Sequence, residues 1–423
     1  MTSLPGSHNI TRVTLENGVT VLVYETTAAQ SVVIAGALRA GSVYELPEQN
    51  GLASMTAGGL MRGTTNRDFN AIHEALEDVG ADINISSGWH RTQFSGKSLA
   101  EDLPTLLDVL ADVLRNPTFP TAHIDRLRGE LVTGLRIRSQ DTRYRASRAF
   151  SESLFPADHP YHYSTRGTVE SVSNLTAGDL AAFHQRHYGP DGMILVVVGA
   201  VTADEAVEQV RARFADWQNP DQPDEITMPD APVVDKSRRS TVTLAGKTQA
   251  DIVLGTVGPS RFSPDYHAVQ LANSVLGQFG MMGRIGKSVR EELGLAYYAY
   301  SQIDGGFSGG PWNVSAGVNP ANVELAIERI IDEVRRLVDE PIGEDDLSDN
   351  QAYFTGHLPL QLESNEGIAF TLLNMELYNL GLDYLVTYRD RIYSLTREDV
   401  QRAARRYLNP DALVVGVAGP DKR

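Results

Sequence analysis

The chain has no cysteine, which excludes disulfides, thiolate catalysis and cysteine-held metal. It has no run of about 18 apolar residues, so no segment reads as a transmembrane helix. Its first residues, MTSLPGSH, lack the apolar stretch of a secretory signal. Basic clusters are missing as well. Against 54 acidic residues stand 37 basic ones, and the net charge of −17 makes a poor surface for nucleic acid or an anionic bilayer. With residue 1 taken as the start, the expectation is a cytoplasmic protein with no membrane and no nucleic-acid partner. What is present is ordinary for a globular chain: 42% hydrophobic and 22% charged residues over a length of 423. That length suits two cores of about 200 residues each.

Two segments of the chain repeat each other. Thr176 and Thr396 each open a helical stretch, with Asp179 and Asp399 in the first turn. Pro190 and Pro410, Asp191 and Asp411, and Gly199 and Gly419 then follow at the same spacing, an offset of 220 residues. The pattern predicts a threonine-capped helix, a proline-containing loop and a buried strand, once in each half. A second pair falls in the same register. Leu103, Leu106, Leu110 and Val113 form one apolar helical stripe, and Val323, Ile327, Ile330, Val334 and Leu337 form another. Residues 218–236 carry four prolines and several acids without periodicity, the composition of an extended linker.

Each half is expected to be a layered α+β unit. In the first, strands at 13–15 and 19–24 flank Asn17-Gly18, a type I′ hairpin signal. A strand at 32–38, a helix at 71–79 and a strand at 81–85 follow. In the second, strands at 241–244 and 251–256 precede a helix at 264–276. The predicted organisation is an internal duplication with domains at 1–217 and 237–423.

Residues 51–64 read GLASMTAGGLMRGT, a helix of small and apolar residues. The segment resembles the zinc helix of the pitrilysin/insulinase and mitochondrial-processing-peptidase family, G-L-A-H-x-x-E-H-x-x-x-x-G-T. Gly51, Leu52, Ala53, Gly63 and Thr64 match its flanks, while Ser54 and Gly58 stand where that family has its two histidines. Ala57 replaces the general-base glutamate, and the family's later glutamate ligand falls on Gly134. Serine, alanine and glycine side chains cannot fill a zinc coordination sphere, so the expectation is no metal in this chain and no hydrolysis by it alone. The resemblance covers the chain from about residue 13 to residue 419. It implies two similar mixed-sheet domains facing each other like a clam shell.

A second family signature is intact. Residues 277–285, GQFGMMGRI, resemble its glycine-rich loop, and residues 289–297, VREELGLAY, are similar to V-R-E-x-x-G-L-A-Y. In active relatives that arginine and tyrosine hold the substrate backbone and stabilise the tetrahedral intermediate. The resemblance assigns those roles to Arg290 and Tyr297. The local pattern is compatible: Ile285, Val289 and Leu293 make a helical stripe, Arg290 lies at its edge, and Gly294 is placed as a left-handed cap. A following strand puts Tyr297 and Tyr298 on opposite faces, so Tyr298→Phe is expected to be silent.

Other candidates are better read as structure. His184 and His187 share a helix without a third ligand in reach. His73 and Glu77 share a solvated helix face, and DHPYHY at 158–163 is a turn. GGFSGG at 305–310 lacks the Lys-Ser/Thr of a phosphate loop. The family resemblance therefore implies a non-catalytic, zinc-less subunit of a heterodimeric zinc metalloendopeptidase. It would close the peptide chamber over a zinc-bearing paralogue with an H-x-x-E-H motif and contribute Arg290 and Tyr297 to cleavage of unfolded peptides, zinc residing in the partner alone. The competing expectations are a structural scaffold subunit without proteolytic role, and a peptide-binding protein acting alone.

Overall fold

The computed structural model describes residues 4–421, apart from the side chains of Met281 and Met282 in the glycine-rich segment. Residues 1–3 of the N-terminal stretch lie outside the described residues. Two mixed sheets organise the chain. The first contains β1 (Ile10–Thr14), β2 (Thr20–Glu25), β3 (Ser31–Leu38), β4 (Asp82–Ser87), β5 (Thr92–Leu99) and β6 (Ile194–Gly199), in the order β1-β2-β6-β3-β5-β4. The second contains β7 (Arg238–Thr243), β8 (Ala250–Val257), β9 (Ala296–Ile303), β10 (Pro311–Val318) and β11 (Val414–Gly419), in the order β7-β11-β8-β10-β9.

With β1 set aside, the two orders are the same and so are the strand directions. β2 runs parallel to β6 as β7 does to β11, and every other neighbouring pair is antiparallel. The duplicated sequence segments occupy equivalent places: β6 and β11 lie inside their sheets and are buried at all positions. Burial on both faces explains why they read as continuous apolar runs rather than as alternating strands. Thr176 and Thr396 each complete a capping box, with Asp179 and Asp399 reaching back to the threonine backbone N–H. The two stripe helices, Leu103–Arg115 and Val323–Asp339, bury every stripe residue.

Packing divides the chain into two compact units that are not contiguous in sequence. One comprises Met1–Gly134, Ser164–Thr227 and Leu358–Tyr388; the other comprises Leu135–Tyr163, Met228–His357 and Arg389–Arg423. The division at 1–217 and 237–423 does not coincide with them, because each half lends one helix to the other sheet. The helix Thr142–Leu154 lies on β7, β8 and β11, and the helix Asn365–Leu377 lies on β3 and β6. Gly416 makes the first of these packings possible. A Cβ there would sit 2.4 Å from the Ala146 carbonyl oxygen and 2.6 Å from the Phe150 nitrogen. Periodicity identifies a helix but not which of two like sheets it covers.

The β1–β2 hairpin differs from its expected turn. A type I′ turn needs positive φ at both Asn17 and Gly18, yet only Gly18 has it, at +94°. Gly18 N–H donates to the Leu15 carbonyl at 3.0 Å, which makes a longer loop with glycine at its left-handed position. The Asn17 amide is occupied elsewhere, donating to the carbonyls of Phe214 and Trp217 at 2.7 and 3.1 Å. Among the described residues, no helix is long and apolar enough to cross a membrane.

Candidate functional site

The helix Leu52–Gly59 carries Ser54, Ala57 and Gly58 in the first unit. Gly51 opens it with φ of +98°, and Glu45 caps it in place of a side chain at the cap position. One Glu45 oxygen accepts from Gly51 N at 2.9 Å and from Asn50 Nδ2 at 3.2 Å; the other accepts from Ala53 N at 2.6 Å. Burial pushes this carboxyl up to about 7, against the opposing pull of those same hydrogen bonds.

Ser54 and Gly58 lie one turn apart on this helix, and Gly134 belongs to the long helix Thr121–Arg138. The space for ligands is still there. A Cβ at Gly58 would meet nothing nearer than the Leu127 methyls at 3.5 and 3.7 Å, and one at Gly134 would meet nothing within 4 Å. The donors are what is missing. Zinc in a peptidase site needs three protein ligands of nitrogen, sulfur or carboxylate type, and these residues offer one hydroxyl. Glu130, one turn before Gly134, is already held by Arg126 at 3.0 Å and lies 3.8 Å from Arg62. Among the described residues no group of three or more His, Cys, Asp and Glu is arranged to hold a metal. The residues present do not fit zinc.

Arg290 and Tyr297 both belong to the second unit. Arg290 is half-buried on a π-helical turn, Gly286–Glu292, which packs against β9. Gly294, with φ of +60°, ends the turn as expected. Tyr297 stands on β9, the edge strand, with its side chain 73% exposed. The expected helical stripe holds only in part. Ile285 and Val289 are buried, but Leu293 is 44% exposed and Leu295 takes the buried place. In a π turn the bonds run from i to i+5, so a residue four positions on falls short of a full turn.

Tyr298 faces away from Tyr297, yet it is not an idle neighbour. Its hydroxyl donates to the buried carboxylate of Asp251, which also accepts from Thr142 Oγ1 at 2.5 Å and from Gln249 Nε2 at 3.2 Å. Arg143 lies over the Tyr298 ring at 4.7 Å and over Tyr300 at 5.3 Å, and bonds the Tyr300 hydroxyl. Burial, then the bond to Asp251, holds the Tyr298 hydroxyl far above the ordinary phenol range. The expectation of a silent Tyr298→Phe is therefore withdrawn. Its partners Asp251 and Arg143 are 47 and 155 residues distant in sequence, beyond the reach of local patterning.

His184, His187 and His73 each pack within the fold. His184 Nε2 lies 2.8 Å from the Leu114 carbonyl, and His187 is buried against Tyr44 and Phe183. Burial lowers both to about 4. His73 packs on Phe69 with ring centroids 4.5 Å apart.

The architecture has counterparts. Residues 20–154 match the model of the insulinase family, peptidase family M16, and residues 174–353 match the peptidase M16 inactive domain. The chain belongs to peptidase family M16. It is similar to an uncharacterized zinc protease of Streptomyces coelicolor, 28% identical over 98% of this chain and 92% of that one. It is also similar to a probable mitochondrial-processing peptidase beta subunit of Arabidopsis thaliana, 26% identical over 67% of this chain and 53% of that one. Among solved structures, a peptidase M16 inactive domain from Pseudomonas fluorescens superposes with a TM-score of 0.90 at 26% identity, covering 98% of this chain and 99% of the other. A protease from Helicobacter pylori shares the fold, with a TM-score of 0.90 at 21% identity over 99% of this chain and all of its own.

Proposed function

We propose that the protein is the non-catalytic subunit of a heteromeric M16 zinc endopeptidase. It contributes Arg290 and Tyr297 to peptides cleaved at the zinc of a paralogue. The observation that carries this reading is a contrast within one chain. All four positions of the family's metal chemistry, Ser54, Ala57, Gly58 and Gly134, have lost their donors, while VREELGLAY is kept whole around Arg290 and Tyr297. An arginine offers five N–H donors to peptide carbonyls, and a tyrosine hydroxyl can donate to a developing oxyanion. Tyr297 is exposed on an edge strand, where an extended peptide can add as a further strand.

The test is reconstitution. The chain and an H-x-x-E-H paralogue from the same genome are purified apart and mixed, and cleavage of an unfolded peptide is followed. The proposal expects negligible turnover from either alone and a stable, active complex from both. A stable complex without any peptidase activity would instead favour a scaffold subunit.

A further inference from the structure

Behind the π turn, within the second unit, is a cleft of about 510 Å³, inside the range of about 300–1,000 Å³ typical of small-molecule sites. Its walls come from five helical segments: the end of Tyr266–Gly277, Phe279–Ile285, the π turn itself, Val323–Asp339 and the first turns of Glu344–Gln361. The lining is polar and mixed in sign. Arg284, Lys287 and Arg336 face Glu291, Glu292, Glu333 and Asp346.

Three buried polar atoms in this lining have no partner in the protein: Arg284 Nη1, Glu333 Oε2 and Asn350 Oδ1. In two of these side chains the neighbouring nitrogen is committed. Arg284 Nη2 bonds Asp346 Oδ2 at 3.0 Å, and Asn350 Nδ2 donates to the Asp346 carbonyl at 2.7 Å, which fixes the amide with its oxygen unbonded. Asn350 is only 1% exposed, so leaving that oxygen dry and unbonded is unfavourable. Burial raises the Glu333 carboxyl above its ordinary value, against the pull of Arg336 and Arg284. The residues lining the cleft thus carry unsatisfied buried acceptors on Asn350 and Glu333 and an unsatisfied buried donor on Arg284, with Lys287 exposed beside them.

Charge narrows the ligand. Four carboxylates repel a polyanion such as a nucleotide, and three cations repel a polyamine. The carboxylates do not converge as a metal-holding group. We propose that this cleft binds a small dipolar molecule, a free amino acid or dipeptide, with its ammonium on Asn350 Oδ1 and Glu333 Oε2 and its carboxylate on Arg284 and Lys287. Both ends are needed, because a ligand with one charge leaves the opposite set of buried atoms unpaired.

Titration calorimetry of the full chain tests this, with L-alanine and L-alanyl-L-alanine as probes beside the N-acetyl and C-terminal amide forms of each. Saturable binding of a free zwitterion is expected, weaker by about tenfold or more when either end is capped. Glu333→Gln and Lys287→Ala, both at partly exposed positions, should each weaken it by a similar factor while leaving the unfolding curve in place. Absence of saturable binding for both free probes overturns the proposal, as does equal binding of the capped forms. The measurement uses no zinc-bearing partner, so its outcome is separate from that of the peptidase reading.

Discussion

Tyr298 donates its hydroxyl to Asp251, and that carboxylate is shared with Thr142 at the start of the helix lent from the other half of the sequence. One buried group therefore ties edge strand β9 to strand β8 and to the exchanged helix, while Arg143 clamps the Tyr298 ring from above. Tyr298→Phe removes a donor from a carboxylate that is 1% exposed. Hydrogen bonds to charged groups contribute about 1.5–3 kcal/mol, and a loss of that size is expected in urea unfolding at neutral pH. An unchanged midpoint would mean that Asp251 finds another donor.

What is legible in the sequence follows the range of the interactions involved. Capped helices at Thr176 and Thr396, the two apolar stripes and the buried strands β6 and β11 are local features, so the duplication was legible from spacing alone. The exchange of helices Thr142–Leu154 and Asn365–Leu377 was not, since a helical segment carries no local mark of which of two like sheets it covers. The Asn17-Gly18 turn misled because the Asn17 amide serves the distant carbonyls of Phe214 and Trp217. Glu45 is not legible as a cap for a similar reason: it caps a helix that begins seven residues later, outside the usual capping spacing. The missing zinc donors were plain, because the absence of a ligand atom needs no fold to establish.

His184 makes stability sensitive to acid. Its Nε2–H donates to the Leu114 carbonyl, and burial lowers its pKa from 6.5 to about 4. Between those values the unfolded chain binds a proton that the folded protein refuses. Its contribution is complete above pH 6.5 and declines as pH falls through 4. The linkage amounts to at most about 3 kcal/mol. His184→Gln, whose amide can serve the same carbonyl without titrating, should make the pH profile of the unfolding midpoint less steep between 6.5 and 4, with His187 among the groups that keep part of the slope. A profile parallel to that of the parent protein would assign the acid sensitivity to other groups.

Metal binding should be absent in the parent chain and recoverable by design. Purified from zinc-supplemented medium, the chain is expected to hold well under one equivalent of zinc by elemental analysis after mild chelation. Ser54→His, Ala57→Glu, Gly58→His and Gly134→Glu together would restore the ligand types of the family motif, and both glycine positions have room for a side chain. The quadruple variant is expected to gain about one zinc per chain and to unfold at higher temperature when loaded. One equivalent of tightly held zinc in the parent would overturn the account of the erased site.

Arg290 and Tyr297 provide the most direct test of the proposed role, in the complex with a zinc-bearing paralogue. Tyr297 is exposed on an edge strand and Arg290 lies on the neighbouring π turn, so neither Arg290→Ala nor Tyr297→Phe should disturb folding or association. If the tyrosine hydroxyl serves the oxyanion, Tyr297→Phe should lower kcat by about 10²–10³, with KM little changed. Arg290→Ala removes contacts to the peptide backbone in both ground and transition states, so its loss should appear largely in KM. Tyr298→Phe cannot serve as the neutral comparison, because it removes the Asp251 bond. Tyr353→Phe, an exposed tyrosine on the helix Glu344–Gln361, suits that purpose better and should leave turnover unchanged. Full activity in both the Arg290 and Tyr297 variants would make the pair inherited structure and leave a scaffold as the better description of this subunit.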